Sequence, residues 1–136
     1  MRFDSSDYPL GTRRPDLVAT PGGVPLREVT LEAARAGVLD ADEMRATPDT
    51  LRLQAEVARA AGRAQLAENL ERAAELALVP DDLLLEAYTA LRPGRATAAE
   101  LEEWALRLEV LEAVKTAAFV LEAAAVYEER GLLADG

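Results

Sequence analysis

The sequence predicts an all-α fold, an open helical bundle of two long helices and shorter helices, preceded by an extended, irregular N-terminal segment. Three observations carry that expectation. Helix-start signatures recur from Val29 onward, apolar and small residues repeat at close to the helical period, and four of the seven prolines fall within the first 27 residues. No two-residue alternation is long enough to suggest a sheet, and no internal repeat is visible at solenoid spacing.

Residues 1–27 also hold three of the eight glycines and show neither helical nor strand periodicity. Proline lacks a backbone N–H, so Pro9, Pro15, Pro21 and Pro25 interrupt any regular hydrogen-bond ladder. Tyr8, Leu10, Leu17, Val18, Val24 and Leu26 are interleaved with them, which gives the segment anchors to bury but no regular structure of its own. Such a segment is expected to wrap a partner rather than to be plainly disordered. The chain is therefore divided into a partner-wrapping segment, 1–27, and a helical domain, 28–136. Tyr8, Pro9, Leu10, Arg13, Pro15, Pro21, Pro25 and Leu26 are the candidate interface residues, with Tyr and Arg as the expected hot spots. Gly22-Gly23 lacks a P-loop lysine and a dinucleotide fingerprint, so it is read as a turn.

In the helical part, Thr30 can cap a short helix that ends near Gly37. Asp40-Ala41-Asp42-Glu43 is read as a capping box rather than a cation site, because it lacks the EF-hand spacing and glycine. Thr47-Pro48-Asp49-Thr50 combines a capping hydroxyl, a proline at the first helical position and an acid in the first turn. An unbroken helix is expected from there to Val79, because Leu51, Ala55, Ala58, Gly62, Leu66, Leu70, Ala73 and Ala77 advance by about 3.7 residues per step. Gly62 inside it costs about 1 kcal/mol relative to Ala and marks either a close helix approach or tolerated drift. Pro80 and Asp81-Asp82 open a shorter helix through Leu91, which Arg92-Pro93-Gly94-Arg95 stops. Thr97-Ala98-Ala99-Glu100 is a full capping box for the last helix, whose stripe passes through Leu101, Ala105, Leu108, Leu111, Ala118 and Ala125 to a stop at Gly131. Leu83-Leu84-Leu85 cannot all face one side of a helix, so at least one is exposed or covered by another chain. Trp104, Phe119 and Tyr127 are read as core or interface anchors in preference to the lining of a ligand pocket.

The composition narrows the function. The chain has 136 residues, no Cys and no His. Disulfides and thiolate chemistry are excluded, and the usual general base and commonest metal ligand are missing. A carboxylate pair would need one member in an apolar pocket with a raised pKa, and no spacing singles one out. Of 68 apolar residues 28 are Ala, which buries far less area than the Leu or Phe worth about 1.5–3 kcal/mol each. A core that thin favours help from an assembly. The net charge of -10 is uneven, +1 over residues 1–27 and -11 over the remainder, so the helical body should repel nucleic acid and anionic lipid. Neither a secretory signal nor a membrane-spanning stretch is visible, and a cytoplasmic setting is expected.

Several segments, read in order, carry a family resemblance. Asp7-Tyr8-Pro9-Leu10-Gly11-Thr12-Arg13, Thr20-Pro21-Gly22-Gly23-Val24-Pro25-Leu26 and Val29-Thr30-Leu31-Glu32 come first. They are followed by Thr50-Leu51-Arg52-Leu53-Gln54-Ala55, Arg72-Ala73-Ala74-Glu75-Leu76, Val79-Pro80-Asp81, Tyr88-Thr89-Ala90-Leu91-Arg92-Pro93 and Ala117-Ala118-Phe119-Val120. Together they resemble the small (γ) subunit of adenosylcobalamin-dependent diol and glycerol dehydratases, over about Tyr8 to Leu132. The resemblance implies a lyase that converts a vicinal diol, such as propane-1,2-diol or glycerol, to an aldehyde and water by radical chemistry begun by cobalt–carbon homolysis. It also implies a substrate site in a TIM barrel of a large subunit, adenosylcobalamin held between large and medium subunits, and a hetero-oligomer arranged as a dimer of heterotrimers. The small subunit would supply no catalytic, cofactor-binding or metal-binding residue. This chain is richer in Ala and acidic residues than the family pattern. Only seven residues precede Tyr8, fewer than the extension some members carry, so the resemblance speaks less for packaging in a bacterial microcompartment than for assembly.

The reading that follows is a non-catalytic subunit that braces the large catalytic one, inactive as an isolated chain and without nucleic-acid or membrane partners. A free-standing helical adaptor using the same N-terminal segment is the alternative. A small enzyme using buried carboxylates ranks below both.

Overall fold

Seven α-helices and three 3-10 turns supply the regular structure of residues 1–136 in a computed structural model, and there is no named strand. The all-α expectation is borne out. By its internal contacts the chain divides into two compact units, Met1–Ala77 and Leu78–Gly136.

In the first unit, 3-10 turns at Ser5–Asp7, Pro15–Leu17 and Leu26–Glu28 surround a single α-turn, α1 (Leu10–Arg13). Residues 1–27 are therefore less irregular than expected: local turns cost few long-range contacts, and prolines can open them. Helices α2 (Leu31–Arg35), α3 (Pro48–Ala60) and α4 (Ala64–Leu76) follow. Thr47 caps α3 as expected, its hydroxyl accepting the Thr50 N–H at 3.1 Å with Pro48 in the first turn. Helices α3 and α4 form a hairpin whose seam is Ala55, Ala58 and Ala67, with Leu70 packed on it. Side chains this small let the two backbones approach closely. Arg59 and Glu71 tie the hairpin from outside, Nη2 to Oε1 at 2.9 Å.

The unbroken helix from Thr47 to Val79 is not formed. The chain reverses at Ala61-Gly62-Arg63, where Gly62 takes φ +76°. The Arg63 N–H donates to the Ala58 carbonyl at 2.8 Å and the Gly62 N–H to that of Arg59 at 3.0 Å, the pairing that closes a helix on a left-handed residue. Gly62 is thus a stop and not a contact point inside a helix.

The second unit contains α5 (Asp81–Ala90), α6 (Ala98–Val110) and α7 (Val114–Arg130). The Thr97 box caps α6, with Thr97 Oγ1 accepting the Glu100 N–H at 3.2 Å and Glu100 Oε2 accepting the Thr97 N–H at 2.8 Å. Leu101, Leu108 and Val120 are its largest fully buried side chains. Here too the expected long helix is a hairpin, closed at Leu111-Glu112-Ala113. Glu112 takes φ +62°, and the Ala113 and Glu112 N–H groups reach the Leu108 and Glu109 carbonyls at 2.9 Å each. Beyond the break the expected stripe is out of phase: Leu111, Ala118 and Ala125 are exposed, while Ala113, Thr116, Ala117, Val120 and Ala124 are buried. Gly131 ends α7 at φ +67° as expected. The last residues then run back along the α5–α6 connection, with the Gly94 N–H on the Leu132 carbonyl at 2.7 Å and the Ala134 N–H on that of Ala96 at 2.8 Å.

The two hairpins are one structure written twice. Helices α3 and α4 begin at Pro48 and Ala64, α6 and α7 at Ala98 and Val114, so each counterpart lies 50 residues on. The same offset relates the capping Thr47 and Thr97, the left-handed Gly62 and Glu112, and the buried pairs Ala55 and Ala105, Ala58 and Leu108, Ala67 and Ala117, Ala74 and Ala124. The sequence reading found no repeat because little is shared beyond Thr47/Thr97, Leu51/Leu101 and a few alanines.

Candidate interaction surface

The eight candidate interface residues divide by where the fold puts them. Leu10 is only 3% exposed, and the turns around it pack against α3, so this anchor stabilises its own unit. Tyr8 is half-buried with the Arg63 guanidinium 4.6 Å from its ring centre, a cation–π contact that spends part of both groups inside the chain. Pro25 and Leu26 are half-buried, whereas Pro9, Arg13, Pro15 and Pro21 are exposed. Of the eight, only the last four are exposed.

Short-range polar contacts hold this segment in shape. Asp4 accepts the Ser6 hydroxyl at 2.6 Å and the Ser6 N–H at 2.7 Å, and both bonds hold its carboxyl below the usual aspartate range. Arg14 forks onto Asp16, Nε to Oδ1 at 3.1 Å and Nη2 to Oδ2 at 3.0 Å. That bidentate pair lowers the Asp16 pKa and raises that of Arg14. Arg14 is thereby occupied, while the adjacent Arg13 has no ion partner within the chain. Further on, Ala19 and Pro25 form an isolated bridge, closed by Leu26 N–H on the Val18 carbonyl at 3.0 Å and Thr20 N–H on that of Val24 at 2.9 Å. Gly22-Gly23 is the turn expected, with Gly23 at φ +87°. The Thr20 hydroxyl donates to Glu43, and a Cβ on Gly22 would collide with that same carboxylate. Asp40 acts as the capping group the sequence suggested, its Oδ1 accepting the Asp42 and Glu43 N–H groups at 3.0 Å each.

A cleft of about 590 Å³ lies between α5 and α6, with Leu85, Glu86, Arg95, Glu103, Trp104 and Arg107 among its lining residues. Arg107 stacks on Trp104 at 4.0 Å. Glu100 in the same cleft is committed to the Thr97 cap. Thr89, the one hydroxyl among the lining residues, donates to the Leu85 carbonyl at 2.9 Å and is not paired with a base there. Trp104, Phe119 and Tyr127 do not share a pocket: Trp104 lines the cleft, Phe119 is exposed, and the Tyr127 hydroxyl donates to the Leu91 carbonyl at 2.6 Å. Leu85 is the exposed member of the leucine triplet. No helix is long and apolar enough to cross a membrane.

Comparison with known proteins supplies what this geometry leaves open. A family profile described as "Dehydratase small subunit" matches residues 3–134. The propanediol dehydratase small subunit of Citrobacter freundii is 52% identical over 126 residues, 92% of this chain and 73% of that protein. The protein of the same name from Salmonella typhimurium (strain LT2) is also 52% identical, over the same shares. With a match that spans nearly all of both helical units and the N-terminal turns, the chain belongs to the dehydratase small-subunit family.

Proposed function

We propose that the chain is the non-catalytic small subunit of a diol or glycerol dehydratase, bracing the large subunit while partner chains convert a vicinal diol to an aldehyde and water. The observation that carries this reading is the family match across residues 3–134, and the similarity to propanediol dehydratase small subunits supports the diol as substrate. The absence of His and Cys supports the division of labour. Adenosylcobalamin would supply the radical chemistry, and the cleft between α5 and α6, lined by carboxylates and guanidinium groups beside Trp104, does not fit a macrocycle of that size and apolar face. The cofactor therefore belongs to the partner subunits.

What this chain contributes is binding energy. A partner that binds only the folded state stabilises it by about 2.7 kcal/mol at a hundredfold excess over Kd, and fewer open states of the large subunit would shield reactive intermediates. Exposed Pro9, Arg13, Pro15 and Pro21 are the part of the N-terminal segment free to serve as its clasp. The test is co-expression with the large and medium subunits of the same organism. Co-elution as one complex, lost on Arg13→Glu combined with Pro15→Asp, supports the clasp. Co-elution unaffected by those changes removes it, and no co-elution of the unaltered chain removes the subunit reading.

A further inference from the structure

The second hairpin exposes an apolar line that its fold does not need. Val114, Ala118, Leu121 and Ala125 follow one another at steps of four, three and four, which places them along one side of α7, and Leu111 precedes them in the turn. All five are exposed; Leu111, Val114 and Leu121 are 36%, 59% and 43% accessible. From Val114 to Ala125 the line runs about 17 Å at 1.5 Å per residue.

The first hairpin is the control for what the architecture requires. At the same positions, 50 residues earlier, it carries Ala61, Ala64, Glu68, Glu71 and Glu75. It makes the same turn and buries Ala55, Ala58, Ala67 and Ala74, as the second hairpin buries Ala105, Leu108, Ala117 and Ala124. Large apolar groups at Val114 and Leu121 are thus not demanded by helix pairing, and exposing them costs solubility unless something covers them.

We infer that this line on α7 seats one helix of another subunit of the dehydratase, a helix with an apolar strip flanked by Lys or Arg. The inference rests on the subunit reading above. A straight line with this spacing, alternating larger side chains with Ala118 and Ala125, matches the knobs and holes of a facing helix. Charge decides between partners. Residues 78–136 hold 12 acidic and five basic side chains, a net -7, and Glu122 and Glu129 stand one turn beyond Ala118 and Ala125 along the edge of the line, with Lys115 the single base there. A second copy would bring -7 against -7, whereas a basic-flanked helix is attracted and steered.

The test measures Kd between the full-length chain and the remaining dehydratase subunits. Ala118→Glu with Leu121→Glu is expected to weaken binding at least about tenfold, as for a central interface position, with helix content unchanged by circular dichroism. A charge on the corresponding face of the first hairpin, Ala64→Glu at the counterpart of Val114, is expected to leave Kd within about twofold. Glu122→Lys with Glu129→Lys alters exposed residues only and guards against misfolding; it should slow association at low salt and approach the unaltered rate at high salt. Unchanged Kd and association rate in both double variants would overturn the inference while leaving the subunit reading intact. An unaltered chain that binds neither subunit would instead remove that reading, and this inference with it. Loss of self-association alone would assign the line to a second copy and equally overturn it.

Discussion

Exchanging residue types at the two hairpin turns should move stability in opposite directions. Gly62 and Glu112 occupy the same left-handed position, at φ +76° and +62°, with matching hydrogen bonds on either side. An L-residue there costs about 1–2 kcal/mol, while glycine loses about 0.5–1 kcal/mol more chain entropy on folding. The difference is on the order of 1 kcal/mol in favour of glycine. No atom lies within 4 Å of a Cβ built on Gly62, so Gly62→Ala reports conformation rather than collision. Gly62→Ala is therefore expected to lower the midpoint of unfolding and Glu112→Gly to raise it, each by about 3 °C. Thermal unfolding of the full chain followed by far-ultraviolet circular dichroism reads both. If Gly62→Ala were neutral, or Glu112→Gly destabilising, the two turns would not be the equivalent devices described.

Three further outcomes are expected. Leu101→Ala removes one of the largest fully buried side chains and should cost about 2–5 kcal/mol in denaturant unfolding, against less than about 0.5 for the exposed Leu106→Ala. Thr97→Ala deletes the hydroxyl half of the α6 capping box and keeps the residue-97 N–H that donates to Glu100; it should cost about 1 kcal/mol, with Thr97→Ser restoring most of it. The Arg14–Asp16 pair lowers the folded-state pKa of Asp16 below its ordinary 3.8, so its small stabilisation is complete above that value and fades as pH falls through the depressed one. Asp16→Asn should then differ from the unaltered chain at neutral pH and converge with it in strong acid; a gap that widened in acid would contradict the pairing.

The helix starts were legible because each is a local device. Thr47 with Pro48, Thr97 with Glu100, and Gly131 at the end of α7 act within a few residues of one another, and all stand where the sequence put them. The two reversals were hidden by arithmetic. A three-residue turn is close to one helical period, so the apolar spacing ran almost in step across Ala61–Arg63, and Leu66 was assigned to a stripe from which Ala67 displaces it. At Leu111–Ala113 even the glycine is missing, since Glu112 takes the left-handed conformation itself. The 50-residue offset was the signal that could have found both turns, because Gly62 aligned with Glu112 marks a common stop.

Exposure along the proposed clasp was legible in part. Prolines mark where short turns open, and Pro9, Arg13, Pro15 and Pro21 are outward. Burial of Leu10 and the Tyr8–Arg63 contact depend on α1 folding back on α3, a long-range event that no local pattern encodes. Leu111, Ala118 and Ala125 share the stripe that the sequence predicts and are outward in the structure for the same reason: periodicity reveals that a face is apolar, not what covers it.

The central claim is that this chain contributes assembly and the chemistry resides in its partners. Aldehyde formation from propane-1,2-diol should be measured with purified large, medium and small subunits and adenosylcobalamin, leaving out one component at a time. Full activity only when all are present, no turnover by this chain alone, and a residual, rapidly lost activity when it is omitted are the results expected. Diol dehydration by the isolated chain, or an activity and lifetime unchanged by its omission, would contradict the account.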